Sequence, residues 1–344
     1  MKNDELRLWY RRYGPLGPDA PEPVFAEKGE GAWLGDAEGG KVLDFASGGS
    51  APLGYNHPDI RRTLNQVGHA PGSDEAVTSD EVALMQKLAE LVPGGMNRRV
   101  LVCESGREAL ARAIELARNE TDRTSVTYLS RSAEEKPAIG KDVAAVVAHP
   151  LDGRIKFARQ ACDAAGALLI DDEAGIGPGT AGRMLAIELS DVRPDIYVLG
   201  RGWAAGFPFG SCVTRSSTLR WKCATAGNPM GCALALETIR LLESGLLEQG
   251  RKLAAHLEKR FGALSSPKLE PELWGVGLVR TIVLRKGRDF AEGLAQKCRE
   301  HGLLLQAVSA DTIAVRPPLV AREKDIDLAA EVVGKVLAGF DRKE

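Results

Sequence analysis

Short apolar runs alternate with helical patterns in the middle of the chain. Several of the runs are almost continuously apolar, which is typical of strands in a parallel sheet that is covered on both faces. Strands that alternate with helices predict a doubly wound, mostly parallel α/β sheet. The six predicted strands cover residues 99–103, 125–129, 143–148, 167–171, 196–199 and 211–214.

Two of the intervening helices begin with capping signals. Thr78 and Glu81 have the spacing of a capping box before a helix at residues 81–91. Ser105 and Glu108 repeat that spacing before a second helix, at residues 109–117.

The rest of the chain predicts a smaller α+β domain. A long helical stretch at residues 232–261, interrupted near Gly245, would connect the two domains. The opening segment reads as a hairpin, residues 33–36 and 42–45, which could join the smaller domain. We therefore predict a large domain at residues 46–231 and a small domain built from residues 1–45 and 232–344. Within the small domain, strands are predicted at residues 278–284 and 312–315 and helices at residues 289–301 and 323–340.

Composition limits the classes of binding partner and the cellular location that we expect for the protein. The 344 residues include 45 Lys and Arg against 47 Asp and Glu, so no overall field favours nucleic acid or an anionic membrane. No apolar run reaches the roughly 20 residues of a membrane span, and a cytoplasmic protein is expected. The six cysteines lack a CxxC pair, which favours reduced thiols and predicts no metal site.

Polar residues follow the predicted strands at the point where each strand ends. They are Ser105-Gly106-Arg107, His149-Pro150, Asp172-Glu173 and Arg201. Ligands of open parallel sheets bind beyond the carboxyl ends of the strands, so these residues are expected to converge on one crevice.

Each of these residues also has a purely structural interpretation. Residues 105–107 open a helix and would suit a phosphate, but the spacing alone favours an ordinary N-cap with its partner Glu108. Asp172 and Glu173 could be solvated turn residues, although a carboxylate at a strand end also suits a pyridinium nitrogen. His149 alone could be a structural histidine.

Other motif-based functions are disfavoured. The glycines after Glu173 fail the dinucleotide-binding pattern, because Thr180 occupies the third glycine position and Pro178 interrupts the turn. The chain also contains no G-x-S-x-G elbow, P-loop or H-E-x-x-H motif.

Taken together, the motifs resemble those of the class III pyridoxal-phosphate (PLP) aminotransferases, in the same order over nearly the whole chain. The resemblance implies fold type I, a homodimer with sites at the subunit interface, and PLP or pyridoxamine phosphate as cofactor. The matching segments are residues 29–39, 43–45, 54–58, 105–109, 170–182, 206–210, 227–229 and 316–319.

The resemblance also assigns roles to individual residues. Asp172 would pair with the pyridine nitrogen, and the backbone of residues 105–107 would hold the cofactor phosphate. Arg316 lies where some members bind a substrate carboxylate.

The main departure from the family is Arg201, which stands in place of the lysine that forms a Schiff base with the cofactor. A guanidinium stays charged and its nitrogen lone pairs are delocalised. Lysine chemistry needs an amine whose pKa can be lowered until it becomes a free nucleophile. Arg201 is therefore not expected to form a Schiff base.

Further departures lie at the same site. His149 replaces a glutamate, Gly175 a glutamine and Thr180 an arginine of the family pattern. Ala224 stands where a threonine would reach the partner subunit's phosphate, although the adjacent Thr225 could take its place. Only residues 130–142 separate two strands, which is too short for the family's cofactor-stacking loop or for an additional edge strand.

Three functions follow from these observations. The first is a degenerate aminotransferase, a pseudoenzyme that keeps the fold and the dimer. The second is a PLP or pyridoxamine-phosphate enzyme with another base, either Lys222 or His149. The third is a regulatory or structural partner of an active aminotransferase, in which Arg201 and Arg107 offer a cationic cleft to an anionic metabolite. An ordinary nucleotide-dependent enzyme is a more distant alternative.

Overall fold

The structure is a computed structural model that describes residues 2–15, 23–71, 76–94, 97–129, 139–215, 227–286 and 289–342. Its helices are α1 Asn3–Tyr13, α2 Pro58–Val67, α3 Ser79–Leu91, α4 Gly106–Thr121, α5 Ile155–Ala165, α6 Pro229–Leu241, α7 Leu247–Gly262, α8 Ala291–Glu300 and α9 Glu323–Asp341. Its strands are β1 Lys28–Glu30, β2 Trp33–Gly35, β3 Lys41–Asp44, β4 Arg99–Cys103, β5 Ser125–Tyr128, β6 Val143–Ala148, β7 Leu168–Asp172, β8 Ile196–Leu199, β9 Gly210–Thr214, β10 Pro271–Val276, β11 Val279–Leu284, β12 Leu303–Leu304, β13 Gln306–Ser309 and β14 Thr312–Val315.

The largest sheet has six strands in the order β4-β9-β8-β7-β6-β5. Strands β5 to β8 are parallel, and β9 runs antiparallel to both of its neighbours, β4 and β8. Every residue of β6 and β8 is buried, as expected for apolar strands covered on both faces. The predicted α/β fold with a mostly parallel sheet is therefore confirmed.

Two smaller sheets account for the other strands. One has the order β10-β11-β14-β13. The other has the order β1-β2-β3-β12, in which Leu303 and Leu304 pair in parallel with Leu43 and Asp44. The predicted N-terminal hairpin, β2 with β3, thus forms one sheet with a strand from the C-terminal part of the chain.

Both predicted helix caps form, but their glutamates bond differently from a capping box. Thr78 Oγ1 accepts a hydrogen bond from the Glu81 amide, and Ser105 Oγ accepts one from the Glu108 amide. The buried Glu81 carboxylate instead accepts from the Gly227 amide at 2.8 Å. In a capping box, the Glu81 side chain would accept a hydrogen bond from the Thr78 amide. Here the contact with Gly227, far away in the chain, takes the place of that bond.

The long C-terminal helix is interrupted where the glycine predicts it. A single wider turn, Leu242–Leu246, joins α6 to α7, and Gly245 within it has φ of 121°. That φ favours glycine, because a side chain there would be strained. The helix begins at Pro229, after Asn228 Oδ1 accepts hydrogen bonds from two backbone amides.

The cysteines are buried thiols in the described part of the chain. Five of them are buried and free, and Cys223 lies outside the described residues. Among the helices of the described residues, none has the length and apolar character that a bilayer crossing requires.

Candidate functional site

The turns that follow β4, β7 and β8 meet at the carboxyl edge of the large sheet. A Cβ atom on Gly106 would lie 2.6 Å from the Cβ of Ala174 and 3.2 Å from the Cα of Gly200. Only a residue without a side chain lets the three backbones approach so closely. The structure thus brings residues 105–107, Asp172 and Arg201 to one region.

The N-terminus of α4 is open to solvent. Ser105 and Arg107 are both exposed, and Ser105 caps the helix through the Glu108 amide at 3.2 Å. The Asn228 side chain donates to Glu104 Oε2 at 3.2 Å, so the loop before α6 lies beside this helix end. Amides at such a terminus bind anions well. Thr225 and Lys222, the other candidates near that loop, lie outside the described residues.

Asp172 ends β7 in a half-buried position. Its Oδ1 accepts a hydrogen bond from the Ala174 amide at 3.1 Å. Burial raises the pKa of Asp172, and the backbone hydrogen bond only partly offsets this. A cationic group beside Asp172 would favour its charged form.

Glu173 does not belong to the crevice, contrary to the sequence-based expectation. It is only 1% exposed, and its carboxylate accepts hydrogen bonds from the amides of Ala186 at 3.0 Å and Ile187 at 2.9 Å. Successive side chains along a strand point to opposite faces, so Glu173 lies on the face away from Asp172.

The Glu173 carboxylate shares that face with Asp171, which is completely buried. Burial raises the pKa of Asp171 well above its ordinary value, and the charges of Glu173 and Asp172 raise it further. Burial also raises the pKa of Glu173 to about 7, against the effect of its two amide donors. When the two carboxyl groups share one proton, Asp171 carries it. The two amide donors stabilise the charged form of Glu173.

Arg201 is the first residue after the Gly200 turn that ends β8, and its side chain is exposed. Its Nη2 donates a hydrogen bond to Ser50 Oγ at 2.9 Å. The side chain lines a cavity of about 580 Å³, which we call the arginine cavity because Arg299 and Arg316 line it too. Among the lining residues that the structure describes, Asp44 is the one with a carboxylate.

The Asp44 carboxylate is occupied by its own neighbours. The amides of Ala46 and Ser47 donate to its Oδ1 at 2.8 and 3.1 Å, and the Tyr55 hydroxyl donates to its Oδ2. Burial and the charge of Asp44 raise the pKa of Tyr55, so the phenol stays protonated as a donor. The hydrogen-bonding capacity of Asp44 is therefore used within the protein.

His149 lines a different cavity, of about 500 Å³, between the end of β6 and the β10–β11 pair. We call it the tryptophan cavity, after Trp274 in its wall. His149 Nδ1 accepts a hydrogen bond from the Leu151 amide at 3.3 Å. Gly175 and Arg316 line both cavities, so the predicted single crevice is in fact two adjoining spaces.

Sequence reasoning missed several residues of the arginine cavity. Asp44 and Tyr55 lie in segments that matched the family pattern, but nothing in the pattern showed that they bond to each other. Ser50 follows a pair of glycines, a signal only of a turn. Arg299 lies on α8 and gave no local signal, because its place in the cavity depends on how α8 packs.

Comparison with known proteins is consistent with this geometry. The sequence profile of the class III aminotransferases matches residues 17–133 and 138–337. The chain is 26% identical to the ornithine aminotransferase of Brevibacillus brevis, with 92% of this chain and 94% of the relative covered. It is 28% identical to the acetylornithine aminotransferase of Methanosarcina mazei, with 91% of each covered.

A solved structure gives the same fold. The ornithine aminotransferase of Toxoplasma gondii, described with partial occupancy of PLP at its active site, superimposes with a TM-score of 0.82 at 22% identity. The superposition covers 99% of this chain and 96% of the other. These matches confirm the resemblance drawn from the motifs. The chain therefore belongs to the class III aminotransferase family.

Proposed function

We propose that this chain is a class III aminotransferase homologue that binds ligands without covalent attachment and does not work as an ordinary transaminase. The observation that carries the proposal is Arg201, whose side chain follows β8 into the arginine cavity. A guanidinium is a permanent cation without a free nucleophilic lone pair. It can hold an anion, but it cannot bond to a carbonyl carbon as a lysine amine does.

The non-covalent part of a PLP site fits the residues present. The exposed N-terminus of α4, with Ser105, Gly106 and Arg107, suits the phosphate. Asp172 suits the pyridine nitrogen, whose positive charge would stabilise the carboxylate against the cost of burial. Bound PLP supplies an electron sink. We propose that these residues hold PLP or pyridoxamine phosphate, when either binds, by hydrogen bonds and charge alone.

The structure offers no substitute for the missing lysine in the described residues near Arg201. No lysine lines the arginine cavity in that part of the chain. Lys156 lines the tryptophan cavity and not the arginine cavity, and its ammonium forms an exposed ion pair with Asp191 at 2.9 Å. His149 also lies in the tryptophan cavity, and this position gives less support to the alternative in which His149 is the catalytic base.

The test is chemical trapping. The purified protein is incubated with PLP, reduced with borohydride, digested, and analysed by mass spectrometry. With PLP equimolar to the protein, we expect no lysine of the wild-type chain to carry a stoichiometric phosphopyridoxyl adduct. Arg201→Lys restores an amine at the end of β8 and is expected to gain an adduct at position 201, whereas Arg201→Gln is the matched control and gains none.

Two results would contradict the proposal. One is a stoichiometric adduct on a single lysine of the wild-type chain, Lys222 included. The other is transamination by the wild-type protein that Arg201→Lys does not increase, because activity would then come from a different base.

A further inference from the structure

A carboxylate lies beside the proposed phosphate site. Glu104 is the residue directly before Ser105, the N-cap of α4, and its side chain is exposed. Because consecutive Cα atoms are only about 3.8 Å apart, the Glu104 carboxylate lies within about 10 Å of the amides of Gly106 and Arg107. Those amides belong to the site that is proposed to hold a phosphate. A phosphate bound there would therefore meet a negative charge of the protein itself.

Hydrogen bonds hold the Glu104 side chain in this place. Its Oε2 accepts a hydrogen bond from Asn228 Nδ2 at 3.2 Å. The oxygen of the same Asn228 side chain accepts from the amides of Met230 and Gly231, at 3.0 and 3.3 Å. Because its oxygen is bound to the start of α6, the Asn228 side chain has its nitrogen directed toward Glu104.

The backbone before Asn228 is fixed by packing. The Gly227 amide donates to the Glu81 carboxylate at 2.8 Å, and Glu81 is only 1% exposed. A Cβ atom on Gly227 would lie 2.5 Å from Cγ1 of Val102 on β4, so no larger residue fits there. Asn228 therefore holds the Glu104 carboxylate from a packed support, close to the start of α4.

No cation neutralises Glu104 within the described ranges of the chain. Its one side-chain partner there is the neutral amide of Asn228. Glu108, the other carboxylate at this helix start, differs, because the Arg112 guanidinium lies 3.8 Å from its Oε1. A carboxylate at a helix N-terminus is stabilised by the helix dipole, and it repels a second anion that approaches the same terminus.

We propose that Glu104 is a specificity-determining residue that lowers the affinity of the α4 N-terminus for phosphate monoesters. Such a phosphate carries a charge of about −2 above neutral pH. At a distance of about 8 Å in water, its repulsion by one carboxylate weakens binding about fivefold. The inference rests on the proposed function, because it concerns the affinity of the same phosphate site. With Arg201 in place of a lysine tether, this repulsion makes a phosphorylated ligand readily exchangeable.

Fluorescence titration of the full chain, freed of vitamin B6, tests the proposal with pyridoxine 5′-phosphate as the probe. This molecule has the ring and the phosphate but no aldehyde, so it forms no Schiff base with any lysine. Glu104→Gln removes the charge and keeps a side-chain oxygen that can accept from Asn228. At an ionic strength of about 0.02 M, where charges act over roughly 20 Å, we expect Glu104→Gln to bind the probe about fivefold more tightly than the wild type.

Salt and two further variants identify charge as the cause. In about 1 M salt the Debye length is about 3 Å, so the difference between Glu104→Gln and wild type should fall below about twofold. Arg107→Gln removes a cation from the same turn and should weaken binding at low salt. Glu120→Gln is the matched control, because Glu120 is exposed on the same helix but about 20 Å from its N-terminus. It should bind the probe within about twofold of the wild type.

Three outcomes would overturn the inference. They are equal or weaker binding by a Glu104→Gln variant that melts like the wild type, a gain in affinity that persists in 1 M salt, and no binding by either protein. The first two leave the proposed function standing, and the third contradicts the proposed phosphate site as well. A stoichiometric lysine adduct with PLP, together with tighter binding of the probe by Glu104→Gln, would contradict the proposed function and leave the effect of Glu104 standing.

Discussion

Arg201 Nη2 and Ser50 Oγ are joined by a hydrogen bond of 2.9 Å, although 151 positions separate the two residues in the chain. The bond connects the turn after β8 to the loop that follows β3. It holds the guanidinium at the arginine cavity, beside the Tyr55 and Asp44 pair. The bond thus places the Arg201 guanidinium where the proposed function requires a cation.

We expect the Arg201–Ser50 contact to matter little for stability. Arg201 is exposed, and a hydrogen bond between solvated groups contributes only about 1 kcal/mol or less. Arg201→Gln and Ser50→Ala should each change the free energy of unfolding by no more than about 1 kcal/mol in urea titrations. A loss of several kcal/mol in either variant would show that Arg201 is a structural residue instead of a ligand-binding one.

The helix caps provide a matched pair of variants. Ser105→Ala and Thr78→Ala each remove a side-chain oxygen that accepts from the third amide of its helix, so each should cost about 1 kcal/mol of stability. Ser105 also lies in the proposed phosphate site. We therefore expect only Ser105→Ala to weaken binding of PLP, by a few-fold in fluorescence titrations. Equal PLP affinity in both variants would place the phosphate elsewhere.

The buried pair Asp171 and Glu173 should make stability fall as the pH rises. Both carboxyls have raised pKa values in the folded protein, to about 7 for Glu173, so the folded state binds more protons than the unfolded state. Their contribution is fully present below about pH 4, the ordinary pKa of a carboxyl group, and that of Glu173 is lost as the pH rises from there through about 7. The slope is up to about 1.4 kcal/mol per pH unit for each proton.

Asp171→Asn tests this dependence. The amide that D171N introduces donates to Glu173 without titrating, so the variant should gain stability relative to wild type between pH 6 and 8. Unfolding curves in urea across this range measure the difference. Asp191→Asn, at an aspartate whose side chain is 97% exposed, is the control and should follow the wild type. Parallel curves for D171N and wild type would show that the pair does not share a proton.

Asp195 should have the opposite pH dependence. Burial raises its pKa, but hydrogen bonds from Arg159, the Leu169 amide and Arg215 outweigh burial, and the pKa lies below its ordinary value. A depressed pKa contributes stability above about pH 4, and this contribution is lost as the pH falls further. Asp195→Asn should therefore lose about 3 kcal/mol at pH 7 and progressively less below pH 4.

A second ion pair of Arg159 provides the control for Asp195. Asp163 also pairs with Arg159, at 2.7 Å, but its side chain is 66% exposed against 17% for Asp195. Asp163→Asn should cost less than about 1 kcal/mol, because solvent screens an exposed pair. Similar losses in both variants, measured by urea unfolding at pH 7, would mean that burial does not distinguish the two ion pairs.

Much of the large sheet follows from local pattern. Apolar runs such as β6 and β8 predict strands because a chain covered on both faces must be apolar throughout. The direction of β9 could not be predicted in this way. The residues of β9 are all buried, like those of the parallel strands β6 and β8. Its antiparallel direction follows from the path of the chain through residues 200–210 and not from composition.

The sequence by itself determined the fold family and the helix caps at Thr78 and Ser105, because each depends on residue type and local spacing, and it carries the hypothesis that Arg201 replaces a lysine. Only the tertiary structure decided that Glu173 turns away from the crevice and that Gly175 and Arg316 line two separate cavities. These facts depend on which side of a backbone faces which neighbour, and on space that no side chain fills. Such properties arise from packing among residues far apart in the chain, where local patterns carry no information.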